Sequence, residues 1–314
     1  MENNNQVIQV LSVNISEKKG TIKKPVNSIQ FTDIGVVGDA HSGKWHRQVS
    51  LLAKESIDKF AQEAGRKINY GEFAENITTE GLLLHETNPL DRFVNENLEL
   101  EVTQIGKKCH GDNCSIFREV GNCVMPKEGI FARVIRNGIL KPEETLNYHP
   151  RVIKIKIITL SDRASRGEYQ DKSGPQIKNL TQTYLDKINR PVEFQQVLIP
   201  DDESQLLAEL QNGVEQQADV IFTTGGTGIG PRDITPEVVK PFLDKEIPGI
   251  MELIRVKYGI KKPAALLSRG VAGVKNKTLI YSFPGSVKAV TEYCTEILPT
   301  LQHSFYMIYG IDSH

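Results

Sequence analysis

Apolar residues follow two different patterns in the two halves of the 314-residue chain. In the second half, β-branched apolar runs alternate with helical spacing, which predicts the order βαβαβ followed by a helix, a strand and a helix. The predicted strands are 152–160, 192–199, 220–224 and 278–282, and the predicted helices are 175–188, 203–217 and two that begin at Pro236, capped by Thr235, and at Val287. This alternation favours a mainly parallel, doubly wound α/β/α domain.

The first half contains short β-branched runs separated by Gly, Asn and Asp turns, which favours a β-rich barrel or curled sheet. The clearest predicted elements are strands at 7–13, 49–52, 98–105 and 130–135 and a helix at 54–64. A segment with prolines and charged residues, 141–151, then interrupts the apolar pattern. It places the domain boundary between residues 1–147 and 148–314.

Composition limits the classes of function. Thirty-eight basic and 39 acidic residues leave a net charge of -1, which offers no bulk attraction to nucleic acid or to anionic membranes. The polar start of the chain, and the absence of an apolar run near the ~18 residues of a membrane span, predict a cytoplasmic protein without a membrane partner. Four cysteines are too few for a disulfide scaffold. Because the net charge is close to zero, any anion must be bound by charged or polar groups at its own site.

Polar loops follow each predicted strand of the second half, and in a parallel sheet such loops meet at one edge. They are 161–167, 200–202, 225–233 and 283–286. Glycines at 225, 226, 228 and 230 let backbone N–H groups approach an anion, and Thr224 and Thr227 add hydroxyls. The pattern predicts a phosphate cradle that is neither a P-loop nor a dinucleotide fingerprint. The alternative is a glycine-rich turn that binds nothing.

Two aspartates stand beside these loops. Asp201 and Asp233 each follow a strand end, where two carboxylates can share a Mg²⁺ that also holds phosphate oxygens. Helix capping is the alternative for Asp201 and the preferred interpretation of Asp202. Arg163 is available either to an anion or to a surface ion pair. Ser286 is expected to cap the last helix and to turn its N-terminus towards the same edge.

Several motifs in the second half, in the same order, resemble the molybdopterin adenylyltransferase family over nearly all of residues 152–303. They are 161–165, 169–174, 224–228, 232–236 and 284–285. The resemblance implies transfer of AMP from ATP to the terminal phosphate of molybdopterin, with release of pyrophosphate. It also implies that Asp201 and Asp233 are the catalytic aspartates. Positioning and metal-assisted charge neutralisation then suffice without a protein nucleophile.

The segment 267–270 also resembles this family and is expected to line the pterin side. The residues expected to bind substrate are therefore Ser161, Asp162, Arg163, Thr224, Gly225, Gly226, Thr227, Gly228, Ser268, Arg269, Pro284, Gly285 and Ser286. Asp201 and Asp233 are expected to hold Mg²⁺ in addition. Related domains are typically trimers, so a homotrimer is expected.

Motifs in the first half resemble the MOSC domain over about residues 5–145, namely 38–52, 71–77 and 123–133. That family is a β-barrel thought to bind the finished molybdenum cofactor or to carry sulfur. Its characteristic cysteine falls on Cys109, where the preceding Lys107 and Lys108 favour a reactive thiolate. Inert, buried thiols are one alternative. The other is a zinc site built from Cys109, His110, Cys114 and Cys123.

A glycine-bounded loop carries His41, Lys44, Trp45, His46 and Arg47. Lys44 and Arg47 are the residues expected to contact an anionic pterin phosphate. The alternative is a turn organised by packing of Trp45, with solvated polar neighbours.

Together these observations favour a bifunctional protein of molybdenum-cofactor biosynthesis. Its adenylyltransferase domain would use molybdopterin and ATP, and its MOSC domain would bind a molybdopterin species or carry sulfur through Cys109. The expected protein partners are molybdate-insertion or molybdopterin-synthesis proteins. The alternative from another class is a non-catalytic carrier or scaffold that retains the pterin-binding fold. The presence of both Asp201 and Asp233 argues against that alternative.

Overall fold

The computed structural model describes residues 6–107 and 123–311. The chain forms two compact units, of which one runs to Arg151 and takes in the chain from Gly310, and the other is Val152–Tyr309. No helix in the described ranges is long and apolar enough to cross a membrane.

The first unit is built mainly from strands. They are β1 (Gln6–Ile15), β2 (Lys24–Val26), β3 (Ile29–Thr32), β4 (Gly35–Val36), β5 (Val49–Ala53), β6 (Ile77–Glu80), β7 (Arg92–Val94), β8 (Glu99–Ile105), β9 (Ile130–Arg136), β10 (Gly138–Leu140) and β11 (Thr145–His149). Helix α1 (Lys54–Ala64) and a 3-10 turn at Leu84–Glu86 accompany them.

The main sheet of this unit closes into a barrel. Its strand order is β11-β7-β8-β9-β5-β6-β1-β2, and β1 pairs again with β11, from Gln6 with Tyr148 to Gln9 with Thr145. Strand β1 has three neighbours along its length, because its first residues pair with β11, Gln9–Val13 pair with β6 and Val13–Ile15 pair with β2. Strands β10, β3 and β4 form a separate small sheet. The expected β-barrel is confirmed.

The barrel interior is filled by the inward-facing members of each strand. Ile8 and Val10 of β1 are fully buried while Val7 is exposed, which is the period of two that a half-buried strand requires. The four predicted strands fall in β1, β5, β8 and β9, and the predicted helix coincides with α1. The short strands of two to four residues were not predicted because they are too short to show a period.

The second unit alternates strands and helices. Its strands are β12 (Ile153–Leu160), β13 (Val192–Ile199), β14 (Val220–Thr224), β15 (Lys245–Glu246), β16 (Ala272–Lys275) and β17 (Thr278–Phe283). Its helices are α2 (Asp162–Ser165), α3 (Ser173–Lys187), α4 (Glu203–Glu215), α5 (Thr235–Phe242), α6 (Pro248–Gly259), α7 (Val287–Ile297) and α8 (Leu301–Ile308), with 3-10 turns at Pro263–Leu267 and Leu298–Thr300.

These strands form one sheet in the order β13-β12-β14-β17-β16-β15. The first four are parallel, β16 pairs antiparallel with β17, and the edge strand β15 pairs antiparallel with β16. The mixed α/β architecture and the mainly parallel sheet are as expected. The carboxyl ends of β13, β12, β14 and β17 therefore lie side by side, and the loops that follow them share one edge.

Opposite faces of the central strands pack against different helices. Ile158, Ile221 and Ile280 belong to one apolar cluster with Leu206 of α4 and Val239 of α5. The neighbouring aromatic residues point the other way. Their rings make a chain from Tyr281 through Phe222 and Phe283 to Tyr293 of α7, with centroids 5.3–5.8 Å apart. This packing fixes the position of the strand ends.

Candidate active site

The glycine loop after β14 passes too close to its neighbours for a side chain. Gly225 has φ +105°, and a Cβ there would lie 2.2 Å from the carbonyl oxygen of Leu160 at the end of β12. Its N–H donates to the carbonyl of Phe283 at 3.0 Å. Gly226 has φ +62°, and a Cβ there would lie 2.7 Å from the hydroxyl of Thr235. Glycine is thus required by close approach and by backbone conformation together.

Thr235 fastens this loop to helix α5. Its hydroxyl donates to the carbonyl of Gly225 at 2.8 Å, and its N–H donates to the carbonyl of Gly226 at 3.0 Å. The expectation that Thr235 caps the helix was wrong. It is the first helical residue, and Ile234 occupies the cap position without a side-chain hydrogen bond. The hydroxyl satisfies a loop carbonyl instead of a helix N–H.

Asp233 folds over the loop that precedes it. One of its carboxylate oxygens accepts the N–H of Gly230 at 2.8 Å. The same oxygen would lie 2.7 Å from a Cβ on Gly228, so that glycine leaves room for the carboxylate. Asp233 is half-buried. Its carboxylate is therefore held directly above the backbone of the predicted phosphate cradle.

Asp201 and Asp162 connect the first two loops through reciprocal hydrogen bonds. The N–H of Asp162 donates to the carboxylate of Asp201, and the N–H of Asp201 donates to the carboxylate of Asp162, both at 3.1 Å. Arg232, from the third loop, forms an ion pair with Asp162. Burial raises the pKa of Asp201, and the nearby carboxylates of Asp162 and Asp233 raise it as well. Three carboxylates, those of Asp162, Asp201 and Asp233, thus influence one another at this edge of the sheet.

The neighbouring Asp202 and Ser286 are helix caps, as expected. The Asp202 carboxylate accepts the N–H of Gln205 at 2.9 Å in the first turn of α4. The Ser286 hydroxyl accepts the N–H of Ala289 at 3.2 Å in the first turn of α7. Capping satisfies N–H groups that the helix itself leaves without partners. Helix α7 begins shortly after the end of β17, so its N-terminus lies at the same sheet edge as the glycine loop.

Residues of the first loop are engaged mainly with one another. The Ser161 hydroxyl accepts the N–H of Ala164 at 3.2 Å and lies 3.0 Å from the Tyr169 hydroxyl. The Arg163 guanidinium pairs with Glu168 at 3.3 Å, and its centre lies 5.2 Å from the Tyr169 ring centroid. The surface ion pair is thus the arrangement that Arg163 adopts.

A cavity of about 310 Å³ opens beside the glycine loop. Of the residues predicted to act here, it brings together Gly226, Thr227, Gly228, Asp233, Ser268, Pro284, Gly285 and Ser286. Thr224 is fully buried next to it and donates its hydroxyl to the carbonyl of Pro284 at 3.2 Å. Asp201, Ser161, Asp162, Arg163, Gly225 and Arg269 do not line this cavity.

Sequence reasoning missed the far wall of the cavity, which α6, the following turn and α7 supply. It contains Tyr258, Lys262, Lys288, Glu292 and Tyr293. The Tyr293 hydroxyl lies 2.8 Å from that of Ser268. No loop or glycine motif marks these residues, since they are ordinary positions on amphipathic helices. Of these residues, only Lys288 could have been found from the sequence, because it lies in the first turn of the helix that Ser286 was expected to cap.

In the first unit, Asp39 is a buried centre of hydrogen bonds. It forms an ion pair with the buried Lys23 and accepts the side-chain N–H of Asn76 at 3.1 Å and the N–H of His41 at 3.0 Å. Burial opposes ionisation, but the hydrogen bonds from His41 and Lys23 hold the pKa of Asp39 below its usual value. Burial lowers the pKa of Lys23.

The loop that Asp39 begins is closed by Trp45. The indole N–H of Trp45 donates to the carbonyl of His41 at 2.9 Å, and the Arg47 guanidinium centre lies 4.8 Å from the indole centroid. Lys44 is exposed. The Trp45-organised turn is thus present, with Arg47 packed on it.

The predicted cysteine site falls largely outside the described residues, because Cys109, His110 and Cys114 lie within 108–122. Cys123 is half-buried. Within 6–107 and 123–311, no group of three or more His, Cys, Asp or Glu side chains could hold a metal ion.

Two family models match this chain. Residues 156–303 match the model described as a probable molybdopterin binding domain, and residues 38–147 match the MOSC domain. The molybdopterin adenylyltransferase of Helicobacter pylori strain J99 is 37% identical over 161 residues, which are 51% of this chain and 90% of that protein. The chain belongs to this molybdopterin-binding family. Both resemblances noted in the sequence are confirmed.

Other relatives match a similar length of this chain. The molybdopterin adenylyltransferase of Pyrococcus furiosus is 39% identical over 153 residues, which are 47% of this chain and 86% of that protein. The solved structure of the molybdopterin biosynthesis enzyme MoaB from Thermus thermophilus is 38% identical, covers 50% of this chain and 97% of its own, and has a TM-score of 0.46. These relatives cover about half of the chain, and the MOSC match lies in the other half.

Proposed function

We propose that the second unit transfers AMP from ATP to the terminal phosphate of molybdopterin, as a nucleotidyltransferase of molybdenum-cofactor biosynthesis. A phosphate oxygen of molybdopterin attacks the α-phosphorus of ATP, the bond from that phosphorus to the bridging oxygen breaks, and pyrophosphate leaves with the bond's electron pair. Membership of the family supports this chemistry. The observation that carries the proposal is a cavity that joins the glycine loop, Asp233 and the start of α7.

The chain supplies several groups that suit phosphates. Backbone N–H groups of the glycine loop and the N-terminus of α7, capped by Ser286, carry partial positive charge whose orientation is fixed by the fold. Lys262 and Lys288 add formal positive charge at the cavity wall. Such fixed donors orient phosphates and stabilise charge as it shifts to the leaving group. No protein nucleophile is needed.

Asp201 and Asp233 fit a magnesium ion. Burial and the neighbouring carboxylates of Asp162 and Asp233 disfavour the ionised form of Asp201, and a cation would relieve this repulsion. One oxygen of each carboxylate accepts a loop N–H, and a carboxylate can do this while its other oxygen binds a cation. Magnesium commonly takes few protein carboxylates and completes its shell with phosphate and water. When bound, it would neutralise triphosphate charge.

The finer details of the architecture are also part of the proposal. We assign residues 1–147 to the MOSC domain and 148–314 to the adenylyltransferase domain, which the division of the chain after Arg151 supports. Helices against both faces of the parallel strands support a doubly wound α/β/α arrangement. Exposed Leu253, Val256 and Ile260 on and after α6 support self-association, for which the family suggests a homotrimer.

We propose that the MOSC domain binds a molybdopterin species before or after adenylylation, or carries sulfur through Cys109. The MOSC family match supports the first role. Arg47 and the exposed Lys44, in the loop organised by Asp39 and Trp45, are candidate phosphate contacts. Proteins that supply molybdopterin or insert molybdate remain the expected partners.

The test is turnover of ATP and molybdopterin by Asp233 variants. Asp233→Ala should lose adenylylation, and Asp233→Asn should lose it by about 100-fold or more while keeping an acceptor for the Gly230 N–H. Asp202→Asn is the matched control, because it retains the cap of α4 and lies outside the cavity. Circular dichroism checks the fold. Turnover by Asp233→Ala at the wild-type rate would remove this mechanism.

A further inference from the structure

Arg269 contacts the loop 225–233 at three points. Its backbone N–H donates to the carbonyl of Thr227 at 2.9 Å. Its side-chain Nε donates to the carbonyl of Gly228 at 2.6 Å, and Nη2 donates to the carbonyl of Asp233 at 2.8 Å. The remaining nitrogen, Nη1, forms an ion pair with Glu237 of α5. Each nitrogen of the guanidinium thus has a partner within the protein.

These contacts dictate which way the loop's peptide groups face. The C=O and N–H of one peptide plane point in opposite directions. Because the carbonyls of Thr227 and Gly228 turn towards Arg269, the N–H groups of the following residues turn away from it. Thr227 and Gly228 line the cavity, whereas Arg269 does not. The arginine therefore lies behind the loop, on the side opposite the donors.

We propose that Arg269 is a positioning residue that holds the loop 225–233 in the conformation that presents its N–H groups and Asp233 to the substrates. It does not itself contact nucleotide or pterin, which replaces the sequence-based expectation that it lines the pterin side. The planar guanidinium reaches two carbonyls and one carboxylate at once, and lysine cannot reproduce this fork. Its effect on rate rests on the proposed function, but its effect on the loop does not.

Amide hydrogen exchange of the ligand-free protein tests the effect on the loop. The N–H groups of Gly225, Gly230 and Asp233 are hydrogen-bonded, so their exchange reports whether the loop keeps its conformation. Arg269→Ala should speed their exchange about tenfold or more, because hydrogen bonds from a charged donor are lost. Arg255→Ala is the matched control, since its guanidinium donates to the carbonyl of Gly270 at 3.4 Å, a position outside the loop 225–233.

Kinetics test the same proposal in the reaction. Arg269→Ala should lower kcat by about 100-fold, because the loop N–H groups and Asp233 are misplaced. The KM for ATP and the KM for molybdopterin should change much less. The kcat of Arg269→Lys should lie between those of wild type and Arg269→Ala. Guanidinium ion at millimolar concentration should partly restore the kcat of the alanine variant. Should the alanine variant fail to fold, the lysine variant carries both measurements.

The outcomes separate this proposal from the proposed function. Unchanged loop exchange in Arg269→Ala overturns the positioning role, whatever the turnover. A rise in KM alone, with kcat and loop exchange as in wild type, also overturns it, because that is the signature of a direct ligand contact. Faster loop exchange in a protein whose wild type does not adenylylate molybdopterin supports the positioning role and contradicts the proposed function instead.

Discussion

The first unit buries an acid whose protonation should be measurable as stability. Glu75 is fully buried, and its carboxylate accepts the N–H of Gly71 at 2.5 Å and the hydroxyl of Thr78 at 3.1 Å. Burial raises its pKa from 4.5 to about 7. At about 1.4 kcal/mol per unit of pKa, this difference corresponds to roughly 3 kcal/mol of unfolding free energy.

The sign follows from which form the native state prefers. The folded protein binds the Glu75 proton more tightly than the unfolded chain, so this contribution is complete below pH 4.5 and is lost as the pH rises through about 7. Glu75→Gln keeps the shape and the acceptor oxygen but carries no charge. The stability of the variant relative to wild type should therefore increase by up to roughly 3 kcal/mol across this pH range.

Urea unfolding at several pH values is the assay. The chain has one tryptophan, Trp45, which lies in the first unit and reports its unfolding by fluorescence. Comparing variant with wild type at each pH cancels the contributions of groups that do not interact with Glu75. Glu17 is exposed, so Glu17→Gln is the control, and its stability should equal that of wild type at every pH. A difference between Glu75→Gln and wild type that stays constant from pH 4.5 to above 7 would refute the reasoning.

Two further substitutions test the packing of each unit. Gly225→Ala should destabilise the second unit by more than about 2 kcal/mol in thermal unfolding, because of its positive φ and the clash with Leu160, whereas Gly249→Ala, in open space on α6, should be neutral or slightly stabilising. Lys23→Met should destabilise the first unit by about 3–5 kcal/mol in urea, because it leaves Asp39 buried without its cation. An effect below about 1 kcal/mol in either substitution would contradict the corresponding contact.

The parallel strands of the second unit could be predicted well because β12, β14 and β17 are largely buried runs with several β-branched residues. Strand β13 is mostly exposed or half-buried, but apolar residues stand at both of its ends. Strand β14 has the predicted bounds of 220–224, and β12, β13 and β17 differ by at most one residue at either end. The edge pair β15 and β16 was missed, since two- and four-residue strands show no periodicity. Helix α6 was missed as well, although Pro248 marks its start.

The sheet edge at which these loops meet was predictable, but the contacts of individual side chains were not. Loops after parallel strands must meet, which placed Asp201 and Asp233 at one edge. The contact of Arg269 with Gly228 joins positions 41 apart in sequence, and no local pattern encodes it. Thr235 was misassigned for a similar reason. Its hydroxyl finds a carbonyl ten residues earlier instead of an N–H in its own helix.

Product analysis of the full-length protein tests the central claim most directly. Incubation with ATP, Mg²⁺ and molybdopterin should give adenylylated molybdopterin by mass spectrometry, with one pyrophosphate released for each AMP transferred. Omitting molybdopterin should abolish pyrophosphate release. Recovery of bound but unmodified molybdopterin, with no pyrophosphate released by a folded protein, would contradict the account and identify a carrier instead.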